Sequence, residues 1–458
     1  MNLQSIILLA AVLVVAAFVL YRYLRNDNKC SCCDCCSKDK CSALILLLLP
    51  LPLNMMATQP YWDEAQVLAY SNDSTRDVYR IPAIAKNYKG ELVAVYDYRV
   101  CGTDIGFGEV DQVMRISRNN GRKWSLETKI ADGMGGNENV FGVGFGDPAL
   151  CLDRESGRGV LITVSGKCIY SYGNATNRPF IAVQWTTDGG HTWSEPWDIT
   201  HQFWGHKGSI FQQSDTDDGS GVFAWAGFFG SGKILQSRLT KVGSFYRLYA
   251  ALLIRGTGLK GAYVVYSDDM GLHWKLLGGD PAYQAAPDSD EPKVEELPSG
   301  QIVLSGRKWY GRTFNIWTFA EGSTTEGSWD KPINSHDVPT GIKVGANSCN
   351  GEILIVRGHR NSDGMPCSVA LQSLPKANTR ADVTIYYKIL EEGMKYTTAA
   401  FAEDWKEGLQ VTRKRSAYST MCLQKDGRIA FFYEEEPYIY NMVYVPVSLC
   451  EATNGAVR

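Results

Sequence analysis

The chain has 458 residues and a formal net charge of −3 at pH 7, which argues against a nucleic acid or another polyanion as its partner. Its six histidines are scattered without the spacing of metal ligands, so we predict neither a catalytic metal nor another cofactor. The length fits one large domain with an N-terminal appendage, while the 45 glycines and the 11% of aromatic residues indicate an all-β protein with many turns.

Residues 1–57 differ in composition from the rest of the chain. Residues 6–21 form an apolar run near the length of a membrane-spanning helix, and residues 42–57 have the layout of a secretory signal peptide with a cleavage site after Ala57. Basic residues lie between the two segments, which predicts a cytoplasmic loop and an exported domain over residues 58–458. That domain would be periplasmic, at the cell surface or secreted.

The loop between these two segments is rich in cysteine. Its six cysteines are Cys30, Cys32, Cys33, Cys35, Cys36 and Cys41. Such dense thiols could hold zinc, copper or iron, and their spacing does not select among these metals. Residues 1–41 resemble the small single-span cysteine-rich proteins found beside ferrous-iron transporters. A fused reading frame is our preferred explanation, with a real membrane anchor as the alternative. The other seven cysteines are scattered and do not predict a disulfide framework.

From Tyr61 onward the sequence alternates short apolar runs with Gly, Asn and Asp turns, which is typical of strands. No long helical periodicity interrupts this pattern. The strands that we predict most firmly are Ile81–Ala85, Glu91–Tyr98, Val160–Ser165, Phe180–Thr186, Ala262–Ser267, Gln301–Ser305 and Ile429–Tyr433. The glycine-rich segment Gly230–Lys233 lacks the spacing of a phosphate-binding loop and is predicted to be a hairpin connection.

An eight-residue pattern occurs three times, at Ser117–Trp124, Thr186–Trp193 and Ser267–Trp274. Each copy opens with Ser or Thr, has Asn or Asp third, Gly fifth and Trp eighth, which suits a tight turn. The intervals of 69 residues (117 to 186) and 81 residues (186 to 267) fit one or two four-stranded units, as in propeller blades. A degenerate fourth copy is predicted around Gly393 and Tyr396.

Several short motifs, in a fixed order, carry a family resemblance. They are Tyr79-Arg80-Ile81-Pro82, the three turn repeats, Gly146-Asp147-Pro148-Ala149, Asp290-Glu291, Ser305-Gly306-Arg307 and Ala417-Tyr418-Ser419. From about Tyr61 to the C-terminus the chain resembles the bacterial exo-sialidase (neuraminidase) family, whose repeats are called Asp-boxes. This resemblance implies an all-β fold, a six-bladed β-propeller of four-stranded antiparallel blades, and removal of terminal sialic acids from glycans.

The resemblance also implies three arginines that bind the substrate carboxylate. By motif these are Arg80, Arg307 and Arg380. Sialic acid carries a carboxylate on its anomeric carbon, and the forked guanidinium group binds carboxylates in bidentate fashion, which Lys does not do. Three further arginines lie near enough in sequence to compete with Arg380, namely Arg357, Arg360 and Arg413.

A carboxylate nucleophile would be repelled by the substrate carboxylate, whereas the neutral phenol of a tyrosine avoids that repulsion. By resemblance this nucleophile is Tyr418. Because a phenol has a pKa of about 10, it needs a base within hydrogen-bond reach, and the candidate is Glu291. Glu295 and Glu296 are its rivals, and we predict that Glu296 is a surface residue at a turn.

The family supplies its general acid and base from a loop after the first strand pair, which implies Asp104 here. Asp111 is the alternative, although its position before a strand favours a role in fixing a turn. Arg99 resembles the family's additional arginine near the acid, and Asp97 is the simple alternative partner for this arginine. For a substrate groove Trp309, Tyr310, Phe141 and Phe145 are candidates, but aromatic residues at blade seams are more often core, so none is assigned.

The resulting hypothesis is a retaining exo-α-sialidase that acts on sialylated glycoproteins, glycolipids or oligosaccharides. A catalytically silent propeller that binds sialic acid or glycans is the alternative from another functional class. A transglycosylating relative, which passes the sugar to an acceptor other than water, is also compatible with these residues.

Overall fold

The computed structural model describes residues 65–436 and 439–458. The predictions for residues 1–57 lie outside this part of the chain. Within it, no helix has the length and the apolar character needed to cross a bilayer. Its seven cysteines are all free thiols, which agrees with the prediction that they form no disulfide framework.

Six β-sheets are arranged in a ring, so the fold is the predicted six-bladed β-propeller. Three blades have four strands, while the other three carry additional short strands and reach five or six. Strand β1 (Gln66–Ala69) is the outermost strand of the last blade, where it pairs with β28 (Asn441–Val447). The ring is therefore closed by a strand from the other end of the described chain.

The blades follow one another in chain order. Blade 1 contains β2 (Tyr79–Lys86), β3 (Leu92–Tyr98), β4 (Asp111–Ser117) and β5 (Thr128–Ala131). Blade 2 contains β6 (Phe145–Leu152), β7 (Gly159–Ser165), β8 (Phe180–Thr186), β9 (Trp197–Asp198) and β11 (Gly232–Lys233). Blade 3 contains β10 (Phe223–Phe229), β12 (Leu235–Val242), β13 (Phe245–Thr257), β14 (Leu259–Ser267), β15 (Lys275–Leu276) and β16 (Ala286–Pro287). Strand β11 of blade 2 lies between β10 and β12 in the sequence.

Blade 4 contains β17 (Asp290–Glu296), β18 (Ile302–Lys308), β19 (Gly311–Phe319), β20 (Gly327–Trp329) and β21 (Ile333–Asn334). Blade 5 contains β22 (Ile353–His359), β23 (Pro366–Pro375), β24 (Val383–Leu390) and β25 (Lys406–Gln410). Blade 6 contains β26 (Ser416–Leu423), β27 (Ile429–Glu435), β28 (Asn441–Val447) and β1. The helices are short: α1 (Thr200–Phe203), α2 (Thr398–Ala402), α3 (Leu449–Ala452) and two 3₁₀ turns at Tyr170–Tyr172 and Ser335–Asp337.

The core consists of one apolar layer between each pair of neighbouring blades. In β3, Leu92, Ala94 and Tyr96 pack toward blade 6, while Val93 and Val95 pack toward blade 2. Successive side chains of a strand point to opposite faces of the sheet, so a central strand that is apolar at every position fills two layers at once. This explains why the seven predicted strands, all of which the structure confirms, were recognisable as apolar runs.

The three eight-residue repeats form the same turn, between the third and fourth strands of blades 1, 2 and 3. In the second copy the Thr186 hydroxyl donates to Asp188 Oδ1 (2.8 Å) and accepts from the Gly190 amide (3.1 Å), while Asp188 Oδ1 also accepts from the amides of His191 and Thr192. The other two copies repeat both bonds of the hydroxyl and the bond from the amide of the seventh residue. Each interval therefore corresponds to one blade. The predicted fourth copy lies at the equivalent place in blade 5, where Gly393 has a φ of 71° and Tyr396 is buried.

The prediction that Gly230–Lys233 forms a hairpin connection is wrong. Gly232 and Lys233 form β11, which leaves blade 3 and pairs in parallel with β6 of blade 2. The crossing is tight, because a Cβ on Gly232 would lie 2.7 Å from Lys293 Nζ. Lys233 ends near the ring interior, where its ammonium donates to Glu295 Oε2 (2.6 Å) and to the Ile353 carbonyl (2.7 Å).

Candidate active site

The residues predicted for the site line one cavity of about 360 Å³. They come from blades 1, 4, 5 and 6, and they are Arg80, Arg99, Asp104, Glu291, Arg307, Arg380 and Tyr418. The loops that follow the second strands of blades 1, 2 and 5 contribute to the cavity wall, as expected for a site built on one face of a rigid scaffold.

Bulges in the first strands of four blades turn side chains into this cavity. The strand register shifts between Arg80 and Ala83, between Gly146 and Ala149, between Asp290 and Pro292, and between Ser416 and Ser419. Three of these bulges contain a proline, which cannot donate to the sheet and so marks an irregular position. The same local device thus presents Arg80, Asp147, Glu291 and Tyr418.

Tyr418 lies beside a carboxylate and a guanidinium group. Its hydroxyl donates a short hydrogen bond to Glu291 Oε1 and accepts one from Arg307 Nη1 (3.2 Å), and Arg307 Nη1 also lies 3.0 Å from Glu291 Oε2. Burial raises the pKa of the Tyr418 phenol well above its usual value, and the Glu291 charge adds to the rise, while Arg307 and Arg380 oppose it. The phenol is therefore protonated at rest, and Glu291 is placed to receive its proton.

The three predicted carboxylate-binding arginines surround Tyr418 but are held differently. The guanidinium carbon atoms of Arg80 and Arg380 lie 5.6 and 5.5 Å from the centre of the Tyr418 ring. Arg307 Nε donates to Ser348 Oγ (2.9 Å). Arg380 has no ion pair or side-chain hydrogen bond to any residue of 65–436 and 439–458, so its donors are available to a ligand. Its rivals Arg357, Arg360 and Arg413 do not line the cavity.

Arg80 is fixed by Glu434, a residue that the sequence did not reveal. Glu434 Oε1 accepts from Arg80 Nε (2.7 Å) and Oε2 accepts from Nη2 (3.1 Å), which is a bidentate pair. The same carboxylate accepts from the amides of Ile81 (2.8 Å) and Tyr418 (3.1 Å). Ile81 has a φ of 58°, a strained conformation for a β-branched residue. Glu434 thus stabilises both the bulge and the direction of the Arg80 side chain.

Asp104 lies in the loop between β3 and β4, where its side chain is 62% exposed. Arg99 Nη2 lies 2.9 Å from Asp104 Oδ1 and 3.2 Å from Asp97 Oδ2, so Arg99 pairs with both aspartates. Asp111, the alternative acid, does not line the cavity. Its Oδ1 instead accepts from the Gly133 amide (2.8 Å), which agrees with the role of fixing a turn.

Asp147 belongs to the Gly146–Ala149 motif, for which the sequence predicted no role. It lines the cavity, has a φ of 56°, and its amide donates to Asp97 Oδ1 (3.1 Å). Burial raises the pKa of Asp147 well above its usual value, and the charges of Asp97 and Asp104 add to the rise. Burial also raises the pKa of Asp97 to about 6, against the opposing effect of Arg99. A neutral Asp147 can donate a hydrogen bond to a ligand.

The prediction that Glu296 is a surface residue is wrong. Glu296 is buried, where its Oε1 accepts from the Ser237 hydroxyl and its Oε2 accepts from the Arg238 amide. Glu295 is also buried and pairs with Lys233 and Arg238. Neither of these two glutamates lines the cavity, which leaves Glu291 as the carboxylate beside Tyr418.

The opposite wall of the cavity is apolar. Its main members are Ile105, Phe107, Val164, Ile169, Tyr170 and Phe228. The four aromatic candidates from the sequence are not among the lining residues: Trp309 and Tyr310 are exposed, and Phe141 and Phe145 pack with each other in the core. The cavity thus combines arginines with an apolar wall, which suits a ligand that carries both a carboxylate and an apolar group.

Among the described residues, one group of three carboxylates is close enough to share a cation: Glu109, Asp111 and Asp132. The Lys129 ammonium, however, already lies 2.7 Å from Asp111 Oδ2 and 2.6 Å from Asp132 Oδ1. A lysine therefore supplies positive charge to two of the three carboxylates.

Comparison with known proteins relates this chain to sialidases. The chain is 30% identical over 263 residues to a sialidase of Micromonospora viridifaciens, an alignment that covers 54% of this chain and 35% of that protein. It is 26% identical over 251 residues to a sialidase of Bacteroides fragilis (strain YCH46), covering 52% and 41%. The chain thus spans less than half the length of these relatives. No protein-family model matches it.

The fold of a solved structure agrees with this relationship. The Hadza microbial sialidase Hz136 superimposes with a TM-score of 0.63 at 20% identity, covering 84% of this chain and 68% of that one. At this identity the likeness concerns the fold. The chain is similar to bacterial sialidases.

A sequence signal for Asp147 was available. Ile81-Pro82, Asp147-Pro148 and Glu291-Pro292 are each an X-Pro pair near the start of an inner strand, and all three lie in bulges that face the cavity. Proline near the start of an inner strand therefore marks three of the four bulges. Glu434 offered no such signal, because its partner Arg80 lies 354 residues away in sequence.

Proposed function

We propose that this protein is a retaining exo-α-sialidase that releases terminal sialic acids from glycoconjugates. The observation that carries the proposal is the hydrogen bond from the Tyr418 hydroxyl to Glu291, at the base of a cavity lined by Arg80, Arg307 and Arg380. A tyrosine paired with a carboxylate and surrounded by arginines matches the needs of a substrate that is anionic at its reacting carbon. Sialidases with a tyrosine nucleophile are a known exception to the two-carboxylate rule of glycoside hydrolases.

In the first step the three arginines bind the sugar carboxylate, and the Tyr418 oxygen attacks the anomeric carbon. Glu291 takes the phenol proton as the new carbon–oxygen bond forms. The bond to the leaving oxygen breaks, and Asp104 gives that oxygen its proton. The product of this step is a glycosyl-tyrosine with the free aglycone.

In the second step water attacks the same carbon and Asp104 takes its proton. The bond to Tyr418 breaks, and the phenol recovers its proton from Glu291. Two inversions at the anomeric carbon give net retention. Asp147 and the apolar residues of blades 2 and 3, among them Val164, Ile169 and Phe228, would contact the acylamino group of the sugar.

The test is release of a fluorogenic aglycone from an α-linked N-acetylneuraminic acid substrate by the purified protein, with Tyr418→Phe beside it. We expect turnover by the parent and a loss on the order of 1,000-fold or more in the variant, because Phe cannot form the covalent bond. Binding of free sialic acid, measured by calorimetry, should persist in the variant. Equal turnover by both proteins would refute the role of Tyr418.

The same experiment separates the alternatives. A folded parent that binds sialic acid but releases no aglycone from any sialoside would support the silent binding propeller instead. Nuclear magnetic resonance of the released sugar distinguishes hydrolysis from transfer, since hydrolysis gives free α-sialic acid first, whereas transfer gives a sugar joined to another oxygen.

A further inference from the structure

We propose that Phe107 is the residue that binds the aglycone, by stacking on the sugar ring that precedes the terminal sialic acid in the glycan. This inference rests on the proposed function, because it takes Asp104 as the group that protonates the leaving oxygen. It extends that function from the sialic acid itself to the part of the substrate that leaves, and it names a hexose ring as the preferred leaving group.

The first argument is position. Phe107 lies three residues after Asp104 in the same loop, and both line the cavity. A general acid must come within hydrogen-bond reach of the oxygen that it protonates, so the leaving oxygen lies beside Asp104. Two of the arginines that would bind the sialic acid carboxylate, Arg307 and Arg380, come from blades 4 and 5, across the ring from this loop of blade 1. The ring attached to the leaving oxygen therefore begins at Asp104 and runs out of the cavity along this loop.

The second argument is the rigid attachment of the loop. Its ends are joined where the Cys101 amide donates to the Glu109 carbonyl (2.9 Å), and a turn brings the Phe107 amide to the Asp104 carbonyl (3.3 Å). Ile105 fits against Gly146, on which a Cβ would lie 2.8 Å from the Ile105 Cβ. These contacts fix Asp104 and Phe107 relative to each other.

A second close contact ties the loop to blade 2. Gly106 has a φ of 92°, and a Cβ there would lie 2.6 Å from the Ile169 amide nitrogen. Residue 106 must therefore be glycine for the loop to rest against the Cys168–Ile169 backbone. Phe107, directly after this contact, is presented at a fixed place on the cavity rim.

The third argument is chemical. The Phe107 side chain is 49% exposed, so one part of it is free to meet a ligand. A hexose presents a face of C–H groups, which is apolar and carries partial positive charge, and the face of an aromatic ring is apolar and partially negative. A phenylalanine also loses little conformational entropy on binding, since it has only two side-chain torsions. Stacking would cover apolar surface on both partners.

The neighbouring loop supplies a matched control. Tyr172 is an aromatic residue with 72% exposure next to Ser171, which lines the cavity, yet Tyr172 itself is not among the lining residues. A general effect of removing an exposed aromatic ring near the site would appear in Tyr172→Ala as well as in Phe107→Ala.

The test compares two substrates that share the sialic acid and differ in the aglycone: 3′-sialyllactose, which has a hexose there, and the methyl α-sialoside, which has none. The measured quantity is the ratio of kcat/KM for the two. We expect Phe107→Ala to lower this ratio about tenfold, the effect of losing the apolar contact of a half-buried phenylalanine. Phe107→Trp should keep the ratio, and Tyr172→Ala should leave it unchanged.

A binding measurement keeps the inference separate from the proposed mechanism. In the Tyr418→Phe background, the ratio of the two dissociation constants should shift about tenfold when Phe107→Ala is added, whether or not the parent is a hydrolase. An unchanged ratio in both assays would overturn the inference. An equal loss of kcat/KM for both substrates would also overturn it, because that result would place Phe107 against the sialic acid. The same holds if the effect of Phe107→Ala depends on whether the sialic acid carries an N-acetyl or an N-glycolyl group.

Discussion

Replacing Glu434 by glutamine tests whether the Arg80 side chain is held in its working direction by blade 6. Glu434 is fully buried, and its carboxylate accepts four hydrogen bonds: two from Arg80 and one each from the amides of Ile81 and Tyr418. Glutamine has nearly the same shape but only one oxygen. Its NH2 group would face N–H donors, so at least one of these donors would be left without an acceptor.

The size of the effect follows from these contacts. A buried donor without a partner costs about 1–3 kcal/mol, and loss of the carboxylate also leaves the Arg80 charge unpaired, so we expect a total loss of about 3 kcal/mol. For a domain of roughly 400 residues this corresponds to a fall in Tm of about 4 °C. A displacement of Arg80 by about 1 Å would lower kcat/KM on the order of 100-fold.

Differential scanning fluorimetry and kcat/KM for a fluorogenic sialoside measure the two effects. Glu435→Gln is the matched control, because Glu435 is the next residue on β27, is also buried, and accepts from Tyr433 Oη (2.8 Å) without lining the cavity. It should lose stability but keep its kcat/KM. If Glu434→Gln kept a Tm within about 1 °C and a kcat/KM within about twofold of the parent, the idea that Glu434 positions Arg80 would be refuted.

Two further predictions concern pH and the turn repeats. Because the folded-state pKa of Asp147 is raised, its contribution to stability is complete below the unfolded-state value of about 4 and is lost as the pH rises through the folded-state value. Asparagine tolerates the same φ and does not titrate, so the Asp147→Asn variant should not lose stability in this way. The Tm of the variant minus the Tm of the parent should therefore grow from about pH 5 to about pH 8. A difference that stays constant over this pH range would contradict the prediction. Asp188→Ala removes the acceptor for Thr186, His191 and Thr192. We expect the free energy of unfolding to fall by about 2 kcal/mol and the Tm to fall by about 2 °C. The value of kcat/KM should stay within about twofold of the parent, because the turn follows the end of β8 that is remote from the cavity. A large loss of activity at unchanged Tm would contradict the structural role of this turn.

The parts of the fold that were predictable are those fixed by local chemistry. Strand β3 was predictable because it is apolar at nearly every position. The three turn repeats were predictable because their hydrogen bonds join residues at most four apart. Most of the predicted residues that line the cavity lie in a short motif beside a bulge or a strand end, whereas Asp104 lies within a loop. Only the resemblance to a family predicted that these motifs lie in one site, because no local pattern shows which distant motifs come together in the fold.

The errors share a different cause. Glu296 precedes a Leu-Pro-Ser-Gly turn and so looks like a surface residue, but its acceptors are used by Ser237 and Arg238, which lie about 58 residues earlier in the chain. Gly232 looks like a hairpin glycine, yet it crosses to another blade. In both cases the deciding partner belongs to a strand that is remote in sequence. Tertiary pairing overrode a correct local preference for a turn.

The positions of the arginines suggest why the site depends on closure of the ring. Arg80 belongs to blade 1, while Glu434, which holds it, and Tyr418, which it approaches, belong to blade 6. The outer edge of blade 6 is completed by β1, which precedes blade 1 in the chain. The contact between blades 1 and 6 is thus made both at the cavity, by a buried ion pair, and at the outer edge, by strand pairing. Because a buried carboxylate without its arginine is strongly unfavourable, the two contacts favour each other. Separation of blade 6 from blade 1 would remove Tyr418 from the cavity and release Arg80 from Glu434 at the same time.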